Sequence, residues 1–359
     1  MEDSINLLKD LVKVPGLSGH EKPIREALTK RWTPLVDQIQ VSKLGSLHGL
    51  RKANRPGEGH SLLIATHMDQ IGLIVTQIEA GLLRITELGG VDQRTMPGSA
   101  VMVHTESGDL PGMVVQPPNH TLPDEIASKG VPLKYLWVDT GLPQKAIEKK
   151  VRIGDLISFS VPALEMGGGY ISAPGLDNRA SVAALTESLT MLQNRQSSWD
   201  VWAAATVQEE ESMFGAQTSG FEIRPTLAVV VDVNFGSGPG SPAHKTFEMD
   251  KGPTFDFGPT THPKLYQAFE KIAKQHEIPY QRCVYPRSSG TDAEKLQLVA
   301  EGIPTMLLGI PIRYMHTPVE MVQIKDIQRV ARLLTVFIEQ LDEKFIDSLR
   351  WDEESEAGK

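Results

Sequence analysis

The run Val201-Trp202-Ala203-Ala204-Ala205-Thr206-Val207-Gln208-Glu209-Glu210-Glu211 is an apolar segment of strand length that stops abruptly at three carboxylates. An apolar run without polar alternation reads as a strand covered on both faces, and open α/β sheets carry their chemistry at the carboxyl ends of such strands. An ionised carboxylate at the end of a buried strand costs free energy unless it is paired or bound to a metal. Glu209 to Glu211 therefore mark a candidate site. A competing reading, in which they open a surface helix whose first turn favours negative charge, stays open on this run alone.

Length and charge narrow the class. A chain of 359 residues accommodates one large α/β domain and a smaller one. A formal net charge of −9, without a Lys/Arg run, gives nucleic-acid binding little support. No run approaches the ~18 apolar residues of a membrane span, and the residues after Met1-Glu2-Asp3-Ser4 lack the pattern of a signal peptide. Cys283 is the one cysteine, which excludes an intramolecular disulfide, fits a reducing compartment and reads as a small buried hydrophobe. The expectation is a cytoplasmic protein that binds neither nucleic acid nor membrane.

Periodicity then places the elements. Ser4 reads as the N-cap of a first helix carrying Ile5, Leu7, Leu8, Leu11 and Val12, and Glu21 to Trp32 reads as a second. Asp37 to Ser42, Ser61 to Thr66, Thr226 to Val231 and Pro304 to Leu308 read as strands, with helices over Asn178 to Asn194, His262 to His276 and Lys325 to about Phe345. Phe235 to Pro259 reads as a long loop. Between Gln70 and Pro162 the texture changes to short alternating segments separated by Gly, Pro and Asp turns, with an irregular excursion over Val114 to Pro132. The pattern predicts an α/β fold, a three-layer mixed sheet with helices on both faces. Its α/β domain spans 1–69 and 163–346, a β-rich domain is inserted at 70–162, and a flexible polar tail occupies 347–359.

His67-Met68-Asp69, Asp177, Glu209-Glu210, Asp232 and His316 each sit at or just beyond the end of an apolar segment. Such ends converge along one edge of a parallel sheet. Two imidazoles with several carboxylates suit Zn²⁺, Co²⁺ or Mn²⁺, and are too many for one catalytic ion. They fit two ions about 3.5–4 Å apart sharing a bridging carboxylate. Residues two apart on a strand face the same way, so Asp69 can accept the free N–H of His67 and fix its orientation. Glu209 and Glu210 point differently, so one can bind metal while the other handles a proton. Asp177 as a helix N-cap and Asp232 as a turn cap remain alternatives.

The segments Ala65-Thr66-His67-Met68-Asp69-Gln70-Ile71-Gly72, Gly175-Leu176-Asp177-Asn178-Arg179, Val207-Gln208-Glu209-Glu210, Val231-Asp232-Val233 and Met315-His316-Thr317-Pro318-Val319-Glu320, in that order, resemble the motifs of the tetrahedral (TET) aminopeptidases, metallopeptidase family 42. That family includes enzymes labelled glutamyl or deblocking aminopeptidases. Pro15-Gly16-Leu17-Ser18-Gly19, Gly89-Gly90-Val91-Asp92 and Gly290-Thr291-Asp292-Ala293 are similar to further family segments. The resemblance implies a zinc-peptidase-like fold, an insert that is a PDZ-like or β-barrel dimerisation domain, and twelve subunits in a hollow tetrahedron. It implies that Asp177 bridges two metal ions, that His67 and Asp232 complete one and Glu210 and His316 the other, and that Glu209 is the general base with Asp69 orienting His67. Gln70 stands where the family usually has Glu, Glu211-Ser212 where it has Val-Gly, and Ser289 where Gly is common; these departures bear on substrate preference.

The activity so implied is hydrolysis of N-terminal residues from peptides. Arg287 reads either as a partner for an acidic substrate side chain or as a solvated loop residue, and Ile310, Ile312 and Met315 either line a side-chain pocket or pack near the last strand. A two-metal deacylase or carboxypeptidase remains an alternative, needing a convergent arginine pair for which Arg179 and Arg287 are available. A self-assembling scaffold whose metals only stabilise it is another.

Overall fold

The computed structural model describes residues 2–123, 126 and 130–350. The chain lays down β1 (Gln38–Val41), β2 (Leu47–Arg51) and β3 (Ser61–His67) of a large sheet. It then forms β4 (Gly72–Glu79), β5 (Leu82–Leu88), β6 (Ala100–Thr105), β7 (Gly108–Val115), β8 (Trp137–Asp139) and β9 (Leu156–Phe159), which close into a separate barrel in the order β4-β5-β8-β7-β6-β9. It returns with β10 (Leu164–Met166), β11 (Tyr170–Ser172), β12 (Asp200–Thr206) and β13 (Leu227–Phe235). The last strands are β14 (Thr254–Phe257), β15 (Gln281–Val284), β16 (Thr305–Arg313) and β17 (Met321–Gln323).

The eleven-stranded sheet runs β1-β2-β12-β3-β13-β16-β17-β11-β10, with β14 on β16 and β15 on β14. Its centre, β12-β3-β13-β16, is parallel, and antiparallel strands flank it. The central strands lack polar alternation because both faces are covered. Ile64, Ala203 and Val229 enter one core with the helices Glu2–Val12, Leu176–Met191 and Ile324–Gln340. Ala65, Ala204 and Val230 enter another with Phe214–Ile223 and Asp292–Leu296. The mixed sheet between two helical layers is the fold class expected, and the barrel has its own core around Leu73, Leu83, Val103 and Ile157. Among the described residues no helix is long and apolar enough to cross a membrane.

Several expectations are corrected. Ser4 is no N-cap: it lies inside the helix that starts at Glu2, buried, where its hydroxyl accepts a hydrogen bond from Gln328. The closing helix ends at Gln340, and Leu341 adopts an extended conformation before a separate helix, Glu343–Ser348. The stretch Phe235 to Pro259 is not all loop, since β14 crosses it against β16. Residues 351–359 of the expected tail, and 124, 125 and 127–129 of the expected excursion, lie outside the described residues.

Candidate metal centre

Strand register puts the chemistry in one place. β3 ends on His67, and its parallel pairing with β12 sets Thr206 level with it. On the other side β13 pairs Val230 with Ala65, and the same offset carried two residues further sets Asp232 level with His67. Asp232 is therefore inside β13 and not at its end, since the strand runs on to Phe235. Beyond β12 the chain turns at Gln208 (φ +60°), a left-handed conformation unusual for a residue with a Cβ. Glu209 to Glu211 lie in this turn, so they do not open a helix, which begins only at Phe214. Asp177 comes from the start of the Leu176–Met191 helix and His316 (φ +62°) from the loop between β16 and β17.

Ligand atoms of His67, Asp177 and Asp232 lie within 4.8 Å of one another, as do those of Asp177, Glu210 and His316. His67 Nε2 is 3.1 Å from Asp177 Oδ1, 3.6 Å from Asp232 Oδ1 and 3.8 Å from Glu209 Oε2. His316 Nε2 is 3.4 Å from Asp177 Oδ2 and 3.3 Å from Glu210 Oε2. Asp177 thus turns one oxygen to each histidine. On the far side of its ring, His67 Nδ1 is 3.4 Å from Asp69 Oδ1.

Burial works against every charge here. It pushes the Glu209 carboxyl up to about 10 against the attraction of His67, with Asp232, Asp292 and Asp177 adding repulsion. Burial also raises Glu210, helped by Asp177, and Asp232, opposed by its hydrogen bond with His67. Asp177 goes the other way: hydrogen bonds with His316 and His67 outweigh burial and hold it well below the usual carboxylate range. Glu210 Oε1 is buried without a hydrogen-bond partner. Like charge crowded into a dry site is relieved by cations, and an imidazole–carboxylate set without thiolate suits Zn²⁺, Co²⁺ or Mn²⁺. The residues present fit such ions.

Asp69 and several residues whose roles the sequence did not disclose hold this set through backbone and side-chain contacts. Asp69 accepts hydrogen bonds from the N–H groups of Glu209 (3.1 Å) and Glu210 (3.2 Å) and from the Ser18 hydroxyl (2.5 Å). Glu21 accepts from the Gln208 N–H at 3.1 Å. Glu320 accepts from the N–H groups of Asp177 (3.1 Å) and His316 (2.9 Å), tying two members of the donor groups together. Thr206 donates to buried Asp292 at 2.5 Å, and burial pushes that carboxyl up to about 7. Glu320 and Asp292 lie in family-like segments, which was the available signal; Glu21 reads only as the first residue of the second helix, which in the structure starts one residue later at Lys22.

The barrel reaches the centre as well. A Cβ on Gly90 would come 3.1 Å from His316 Nδ1, so a side chain there would crowd the ring. The Asp92 N–H donates to the His316 carbonyl at 3.0 Å. Glu211 accepts from the Gly89 N–H at 2.6 Å, so the third acid of the triplet secures this connection. Arg179 is fully buried, 3.5 Å from Gln70 Oε1, while Arg287 is exposed and lines no part of the cavity beside the centre, so the two do not converge. Ile310 and Ile312 pack in the core and only Met315 reaches the cavity. Cys283 is buried and burial pushes its thiol up to about 12, as suits a packing residue.

A sequence profile described as M42 glutamyl aminopeptidase matches residues 49–333. The lysyl aminopeptidase of Pyrococcus furiosus is 33% identical over 341 residues, covering 93% of this chain and 96% of that protein. The structure of aminopeptidase APDkam598 from the archaeon Desulfurococcus kamchatkensis superposes with a TM-score of 0.90 at 31% identity, over 97% of this chain and 98% of that one. The Pyrococcus horikoshii TET1 peptidase, described as assembling into a tetrahedron or a large octahedral shell, gives 0.82 at 30% identity over 94% and 100%. With the matched region running from β2 into the Ile324–Gln340 helix and taking in barrel and centre alike, the chain belongs to the M42 glutamyl aminopeptidase family and so to the peptide-bond hydrolases.

Proposed function

We propose that this aminopeptidase removes N-terminal residues from peptides at a site holding two divalent cations, with Glu209 as the general base. The observation that carries the reading is the sharing of Asp177 between two three-donor groups, each with its own histidine and second carboxylate. His67 and Asp232 would hold one ion with Asp177, and Glu210 and His316 the other; Zn²⁺ or Co²⁺ fits best, with Mn²⁺ an alternative. When bound, the pair supplies Lewis acidity at the scissile carbonyl and lowers the pKa of a water toward ~7. Glu209 belongs to neither group, yet its Oε2 faces their midst, 3.8 Å from His67 Nε2. Its carboxylate takes the proton of the attacking water and returns it to the leaving amine. Asp69 orients His67 and, through two backbone N–H groups, keeps Glu209 and Glu210 pointed differently.

Glu209→Gln keeps the shape but cannot accept the proton. It should lower kcat by about 10²- to 10⁴-fold while metal content stays at that of the parent; near-full activity would overturn the assignment. Chelation should abolish hydrolysis of aminoacyl-p-nitroanilides, and added Zn²⁺, Co²⁺ or Mn²⁺ should restore it, which a non-catalytic scaffold would not show. The carboxylate-recognising alternative loses ground because Arg179 and Arg287 do not meet at the cavity.

The TET1 assemblies support a homo-oligomer here too; its proposed form is a twelve-subunit tetrahedron, with residues 70–162 as a dimerisation domain inserted between the two parts of the α/β domain, 1–69 and 163–346. Cys283, a single unreactive thiol, keeps a cytoplasmic location as the proposed one.

A further inference from the structure

The family descriptor names an acidic substrate residue and the Pyrococcus furiosus relative a basic one, so membership leaves the preference of this chain open. We infer that the pocket beside the centre selects a neutral, apolar N-terminal residue and disfavours both charges. The inference rests on the two-metal reading of the site.

The cavity holding the centre measures about 270 Å³ and extends between Met213, Phe235, Tyr285 and Met315, with Ser289 and Thr291 as its uncharged polar edge. The Phe235 ring is 55% exposed, an aromatic face that a bound side chain would cover. Among the described residues no lysine or arginine lines this cavity. The donors of the nearby loop turn toward Glu294 and each other: Gly290 N–H donates to Glu294 Oε1 at 2.5 Å, the Ser289 hydroxyl lies 3.5 Å from the same oxygen, and the Ser289 and Thr291 hydroxyls share one hydrogen bond at 3.0 Å. A glutamate or aspartate side chain would therefore exchange its water for thioether and aromatic carbon with no cation in return, and would face the carboxylate of Glu294 behind the loop. Such desolvation is penalised unless it is compensated. A lysine fares no better. Among the described residues the carboxylates lining the cavity are those of Asp177, Glu209, Glu210 and Asp232, and on the two-metal reading all four are committed to the ions or to proton transfer. An unbranched or branched apolar side chain loses nothing on entry and gains contact with Phe235 and Met315.

The test is kcat/KM of the metal-loaded enzyme on Leu-, Met-, Phe-, Glu-, Asp- and Lys-p-nitroanilides, where the leaving group is constant and only the N-terminal side chain varies. The expected result is at least about tenfold preference for Leu or Met over Glu, Asp and Lys. Ser289→Arg, which places a cation in the wall, should raise the Glu-to-Leu ratio about tenfold, and Arg287→Ala should leave it unchanged. Glu or Lys cleaved as well as Leu, or Glu cleavage lost in Arg287→Ala, would sink the inference while leaving the aminopeptidase reading intact. Silence on all six substrates with metal bound would instead remove the reading it rests on, and the inference with it.

Discussion

At the scale of single residues, the seven groups that the motifs single out were legible because their types are costly to bury. A carboxylate or imidazole ending an apolar run needs a reason to be there, and His67, Asp69, Asp177, Glu209, Glu210, Asp232 and His316 do gather at one edge of the sheet. Ser18, Glu21, Asp292 and Glu320 escaped because Glu21 and Glu320 act on backbone N–H groups, Ser18 on the Asp69 carboxylate and Asp292 on the Thr206 hydroxyl, which leaves no signature in residue type. His48 shows a different side of burial. It is fully buried, its Nε2 is 2.8 Å from Ser219 Oγ, its Nδ1 has no partner, and burial pushes its pKa down to about 4. The folded state thus refuses a proton that the unfolded chain accepts near 6.5. Its contribution to stability is complete above pH 6.5 and is lost as pH falls toward 4, by about 3 kcal/mol. Urea midpoints at pH 7.5 and 4.5 should show a smaller acid-induced drop for His48→Gln than for the parent; an equal drop would place the sensitivity elsewhere.

At the scale of elements, the long apolar runs were readable and the short edge pieces were not. β3, β12 and β13 announce themselves because two helical layers demand apolar residues on both faces. β10 is exposed at all three positions and has no pattern to read, and β14 lies within a Gly- and Pro-rich stretch. The segment from Val14 to Gly19 likewise reads as a break between helices, yet with Glu21 it straps two strand ends together. Gly16 accepts from the Gln70 N–H at 3.0 Å, Ser18 donates to Asp69, and Glu21 receives the Gln208 N–H. The strained turn at Gln208 is thereby held from two sides. Ser18→Ala and Glu21→Ala should each lower kcat by on the order of tenfold, with KM near the parent value, because Glu209 is displaced and not removed. Glu21→Gln retains an acceptor oxygen and should recover most of the loss. Steady-state kinetics on protein shown to be folded decide it; unchanged kcat in both alanine variants would reduce the strap to a packing feature.

For the whole molecule, light scattering of the purified chain should give a mass that is a multiple of 39.4 kDa, twelvefold for the tetrahedron; a monomer that cleaves aminoacyl-p-nitroanilides would separate catalysis from assembly. The barrel is inserted directly after His67, and its Gly89 to Asp92 connection leans on His316, so the centre is closed by parts drawn from nearly the full length of the chain. That arrangement has a meaning in time. A ribosome delivers His67 early but His316 and Glu320 only when β16 has already emerged, and domains fold as their last segments appear. A chain that stops short of β16 carries Asp177, Glu209, Glu210 and Asp232 and still lacks His316 and Glu320. On the two-metal reading, such a chain holds the His67, Asp177 and Asp232 donor group and leaves the other short of its histidine.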